Sequence, residues 1–169
     1  MIRELAGRSP RIAPDAYVDR AAEIIGHVVI EAGASIWPFA VLRGDFDSHV
    51  QVGRNSNVQE GSVLHVAAGR PCIVGAGVTI GHRAVVHGCT IGDDARIGIG
   101  AIVLNGAVVE QGAQVGAGAL VPPGKIVPAG WLVMGVPARQ VRQMSPEELE
   151  EIRNNAATYV ELWRRHYRR

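Results

Sequence analysis

Apolar residues recur six positions apart along most of the chain: Val18, Ile24, Ile30, Ile36 and Leu42, then Val52, Val58 and Leu64, then Val74, Ile80 and Val86, then Ile91, Ile97, Val103, Val109, Val115 and Val121. Four positions beyond most of them stands a small residue: Ala22, Ala34, Ala40, Ser56, Ser62, Ala84, Thr90, Ala95, Ala101, Ala107, Ala113 and Ala119. An amphipathic helix would instead carry apolar residues three and four apart. Glycines such as Gly92, Gly98, Gly100 and Gly106 would each cost such a helix about 1 kcal/mol relative to alanine. The pattern predicts short β-branched strands joined by glycine-rich turns. The apolar residue fills the core and the small one sits at a tight corner.

A six-residue period leaves no room for helices between strands and indicates a parallel β-helix, each hexapeptide forming one side and three making a triangular coil of about 18 residues. This resembles the left-handed β-helix of hexapeptide-repeat proteins. The handedness comes from the resemblance alone, because parallel connections in general are right-handed. Coils stack about 4.8 Å apart, so residues three repeats apart lie one above another. After Val121, Pro122-Pro123-Gly124 and Gly135-Val136-Pro137 break the pattern, and the stack is expected to stop there. Ser145-Pro146-Glu147-Glu148 then reads as an N-cap, a first-turn proline and a reciprocal glutamate. A helix should follow, docked through Leu149, Ile152, Ala156, Tyr159, Val160 and Trp163. The expected organisation is an all-β coil stack over 1–143 and a helix packed on it over 144–169.

At 169 residues and 47 % hydrophobic composition the chain suits one domain with one core. It has no apolar run long enough to span a bilayer, and its start lacks the pattern of a signal peptide, so a cytoplasmic protein is expected. Cys72 and Cys89 form neither a metal pair nor a disulfide framework and read as buried or turn thiols. The net charge of +1 hides an asymmetry: without Arg164, Arg165, Arg168 and Arg169, 13 basic residues remain against 16 acidic ones. A mildly acidic body argues against nucleic-acid binding, and the terminal arginines read as a solvated helix end.

Three of the six histidines carry candidate chemistry. Leu64 and Val86 are three repeats apart, so His65 and His87, each one position later, stack on one side, with Arg43 on the same line. His82 comes two positions after Ile80, on the preceding face, in line with Glu60 and beside Gln59. A metal needs its nitrogens about 2.0–2.1 Å from one point. Two stacked imidazoles meet that demand more readily than a third around a prism corner, so the third is expected from another copy. A heterologous contact between the two faces closes as a cyclic homotrimer. Imidazole ligands suit zinc, iron(II) or cobalt. His27, His49 and His166 have no comparable alignment and read as structural or solvent-facing.

The stretches Trp37 to Asp45, Asn55 to His65 and Val78 to Cys89 together resemble the gamma-class carbonic anhydrase family, over nearly the whole chain. The resemblance implies that His65, His82 and His87 bind the metal, with His82 from an adjacent subunit. It also implies an Arg43–Asp45 ion pair near the subunit boundary, and a Gln59 that hydrogen-bonds the metal-bound water or bicarbonate, supported by Asn57. Two departures stand out. Glu60 replaces the family's aspartate, and Phe46 follows Asp45 while the Val66 to Ile73 loop carries no carboxylate, where the best-characterised branch has acidic proton-relaying loops. Asp47 is the nearest substitute.

The activity this implies is reversible hydration of carbon dioxide, with Glu60 accepting or passing the proton. Rival readings are a metal-dependent acyl-CoA thioesterase, an acyltransferase using one histidine as base, and a catalytically silent assembly or regulatory subunit.

Overall fold

The computed structural model describes residues 1–167. Its strands form three sheets that wrap one core. The first holds Ile2–Arg3, Glu23–Gly26, Val41–Gly44, Val63–His65, Val85–His87, Ile102–Val103 and Leu120–Val121. The second runs from Arg11–Ile12 through Val50–Val52 and Cys72–Val74 to Ile126–Val127, and the third from Tyr17–Val18 through Asn57–Val58 and Thr79–Ile80 to Trp131–Met134. Neighbouring strands pair in parallel, with Leu42, Leu64, Val86 and Val103 in register in the first sheet. All four are fully buried, each stabilising the stack by about 1.5–3 kcal/mol. The fold is a parallel β-solenoid with one C-terminal helix, as the six-residue period predicts.

The small residues line the inner side of the corners, and most are fully buried. Ser56 and Ser62, the polar members, donate to Gly75 O at 2.7 Å and Gly81 O at 2.8 Å, so their burial leaves no hydroxyl unpaired. Thr90 departs from the prediction: it is exposed and lies in the strand Thr90–Ile91. Val86 and Ile91 are only five apart, and the shortened corner brings Cys89, 2 % exposed, to the inner position instead.

The stack also continues past Val121, against expectation. Ile126–Val127 and Trp131–Met134 both add in parallel before Arg139–Gln143 closes the third sheet antiparallel. The prolines do not interrupt it because they sit at a corner. Lys125 N donates to Pro122 O, so Pro123 occupies the second and Gly124, at φ +68°, the third position of a turn, which suits both residue types.

Helix α1 (Pro146–His166) begins as expected, with a Ser145 N-cap and a capping box to Glu148. It buries Ile152, Ala156, Val160 and Trp163, while Leu149 and Tyr159 are half-buried. It lies on the third sheet: Thr79 bonds Asn155, and Trp163 Nε1 donates to Gly33 O. Arg164 lies over the Trp163 ring and Arg165 pairs with Glu161; Arg168 and Arg169 lie outside the described residues. Among the described residues no helix is long and apolar enough to cross a membrane.

Candidate functional site

The first sheet delivers one cluster. Parallel pairing sets Arg43, His65 and His87 on one line, and the same position on each strand points outward because the preceding residue points into the core. His65 Nδ1 lies 3.0 Å from His87 Nε2. His65 Nε2 lies 3.0 Å from Asp45 Oδ1, and the other carboxylate oxygen of Asp45 takes Arg43 Nη1 at 2.8 Å. His87 Nδ1 is bonded to Asn105 Oδ1. Phe46 packs edge-on against His65, with ring centroids 6.1 Å apart.

These partners assign the tautomers. A carboxylate and an amide oxygen only accept, so neutral His65 carries its proton on Nε2 and neutral His87 on Nδ1. In those tautomers His65 Nδ1 and His87 Nε2, 3.0 Å apart, are the two nitrogens left to hold a shared proton or a metal ion. Burial, and after it the Arg43 guanidinium, hold the His65 pKa below its ordinary value, against the opposing pull of Asp45.

The corner between the third and first sheets carries the second cluster. His82 Nδ1 lies 2.6 Å from Glu60 Oε2, and both side chains are roughly two-fifths exposed. No hydrogen bond takes His82 Nε2, and none joins His82 to His65 or His87, among the described residues. Nor, among the described residues, do three His, Cys, Asp or Glu side chains converge there on one metal position. Ile99 occupies the His82 position on the next coil and is 58 % exposed, while Phe39, two coils before His82, is 71 % exposed at φ +63°.

Gln59 does not join Glu60 and His82. It is 5 % exposed and donates through Nε2 to Asn57 Oδ1 at 3.0 Å, and Asn57 Nδ2 in turn reaches Thr79 Oγ1 at 2.9 Å. Asp47, the substitute carboxylate, pairs with Arg8 instead. Asn105 was not legible as a site residue. Its neighbour Gly106 marks only a turn, although pairing of Val86 with Val103 does set it opposite Gly88, one position past His87. His27 and His49 prove to be aligned after all: Val28 pairs with Val50, and the imidazoles before them lie with centroids 5.2 Å apart. Cys72 and Cys89 are buried, and burial pushes both thiols up, Cys89 to about 12, which leaves them inert.

No family model matches the chain. It is 48 % identical over 151 residues to a probable carbonic anhydrase of Methanocaldococcus jannaschii, covering 89 % of this chain and 94 % of that one. It is 41 % identical over 161 residues to gamma carbonic anhydrase 2, mitochondrial, of Arabidopsis thaliana, covering 92 % of this chain and 58 % of that longer relative. In structure it is similar to a hexapeptide transferase family protein from Anaplasma phagocytophilum, at a TM-score of 0.91 and 41 % identity over 95 % of each chain. The coil stack is thus that of the hexapeptide-repeat left-handed β-helix, and at this identity and coverage the chain belongs to the gamma-class carbonic anhydrase family.

Proposed function

We propose that the protein hydrates carbon dioxide reversibly, at divalent-metal sites shared between copies of the chain in a homotrimer. The observation that carries this reading is the pair of lone pairs on His65 Nδ1 and His87 Nε2, 3.0 Å apart, with the far nitrogens held by Asp45 and Asn105. Two nitrogens on a tetrahedral zinc lie about 3.3 Å apart, so the pair fits such an ion after a small opening. Carboxylate and amide partners on the non-ligating nitrogens orient metal-binding histidines. His82 supplies the third nitrogen, Nε2, from a second copy, with Glu60 bonded to its Nδ1. Exposed Ile99 and Phe39 give that corner an apolar ridge suited to burial against another chain. Zinc, iron(II) and cobalt(II) all accept this donor set.

When bound, the metal supplies a water with a pKa lowered to about 7. The residues of the chain do the rest. Gln59, held by Asn57, orients the nucleophilic water. Glu60, bonded to His82 through Oε2 and about two-fifths exposed, takes the released proton through its other oxygen and passes it to solvent. Asp45 joins Arg43 to His65 and so ties the ligand to its neighbouring coil. Phe46 stands beside His65 where a carboxylate would be needed to relay that proton onward, so turnover is expected to be modest and limited by proton export.

The test pairs metal analysis with oxygen-isotope exchange between carbon dioxide and water. Zinc- or iron(II)-loaded protein should carry about one ion per chain and catalyse exchange. Fully loaded protein without exchange at any buffer concentration would reject the reading, and hydrolysis of acyl-CoA by that same protein would identify it as the thioesterase.

A further inference from the structure

Four side chains form a hydrogen-bonded line from helix α1 to Gln59. Thr79 Oγ1 donates to Asn155 Oδ1 at 3.1 Å and accepts from Asn57 Nδ2 at 2.9 Å, and Asn57 Oδ1 accepts from Gln59 Nε2 at 3.0 Å. Asn57 is fully buried and Thr79 is 4 % exposed, so water cannot take the place of a lost partner. The line has a direction. A hydroxyl has one proton, and because Thr79 gives it to Asn155 it faces Asn57 as an acceptor. Asn57 must therefore turn its NH2 toward Thr79, where Val78 O lies 3.5 Å from the same nitrogen. That turns its oxygen toward Gln59, which in turn must offer an N–H. The Gln59 amide is left with Oε1 uncommitted.

We infer that Thr79 and Asn155 are positioning residues that determine which end of the Gln59 amide faces the cleft. Oriented this way, Gln59 presents an acceptor, which takes a hydrogen bond from the nucleophilic water and leaves that water's lone pair free for carbon. Rotated by half a turn, it would donate to the same lone pair and blunt it. The helix thus sets the polarity of a cleft residue to which, among the described residues, it is not hydrogen-bonded. The inference rests on the role given to Gln59 in the proposed hydration.

Thr79→Val preserves the branched shape and removes the hydroxyl, whereas Thr79→Ser keeps it. Asn155→Asp keeps the acceptor and Asn155→Leu removes it. Turnover should fall about tenfold in Thr79→Val and Asn155→Leu, the scale of one lost orienting hydrogen bond, and recover in Thr79→Ser and Asn155→Asp. Metal content and Trp163 fluorescence should stay as in the native chain, showing the helix still docked. The Gln59 side-chain amide protons, followed by nitrogen-15 NMR, should be shifted and lose their protection in the two deficient variants alone. Unchanged Gln59 amide signals, or unchanged turnover despite altered signals, would overturn the inference. Altered signals in a loaded protein that never hydrates carbon dioxide would leave the relay standing and remove the hydration reading.

Discussion

Mixing two defective chains tests the shared site most directly. His82 sits at a corner, off the sheet line that carries His65 and His87, its Nδ1 held by Glu60 and, among the described residues, its Nε2 uncommitted. A site then needs one half, His65 with His87, from one chain and the other half, His82, from the next. Alone, His65→Ala and His82→Ala trimers each lack one half at every interface and should hold little metal. Mixed in equal amounts, unfolded and reassembled, they recover a site only where a His82→Ala chain supplies the paired histidines and a His65→Ala chain supplies His82. Each condition is met half the time, so about a quarter of the native sites should return, one in every mixed trimer of a cyclic assembly. The assay is metal per chain by atomic emission on the trimer peak from gel filtration. Metal no higher in the mixture than in the separate variants would refute the shared site, as would a monomer holding one ion per chain.

His87→Ala should remove most of the bound metal, and Asn105→Ala, which frees only the far nitrogen of His87, should weaken affinity about 10- to 100-fold in a chelator competition. Metal should be retained as the pH falls to 6.5 and be lost only below it, because burial and Arg43 hold His65 under that ordinary value and the ligand must be neutral. The metal-free fold should weaken over the same acid range, since there the unfolded chain binds more protons than the folded one; a melting temperature that rises on acidification contradicts the sign. Small imidazole buffers should raise kcat while leaving kcat/KM for carbon dioxide nearly unchanged, whereas Gln59→Ala should lower both. Leu64→Ala, at a fully buried position directly before His65, should cost about 2–5 kcal/mol in urea unfolding.

Much of this protein was legible from periodicity. A six-residue repeat with an inward apolar residue fixes which strands stack, so counting from Leu42, Leu64 and Val86 places Arg43, His65 and His87 on one line. The same counting put His82 with Glu60, and the helix start was written in Ser145 to Glu148. Local composition misled where a turn and a terminator look alike: Pro122-Pro123-Gly124 suits a corner as well as an ending, and only the pairing of Ile126–Val127 decides between them. Thr90 and the His27–His49 pair were misread because a one-residue deletion or an inserted loop shifts the count without changing the ladder. Other partners that set each side chain's chemistry were invisible in the sequence, since Asn105 on His87, Asp45 on His65, and Asn155 on Thr79 depend on where side chains reach across coils and from the helix. A repeat specifies which backbones are neighbours; the directions of hydrogen bonds, and with them the tautomers and amide orientations, are decided only when those neighbours pack.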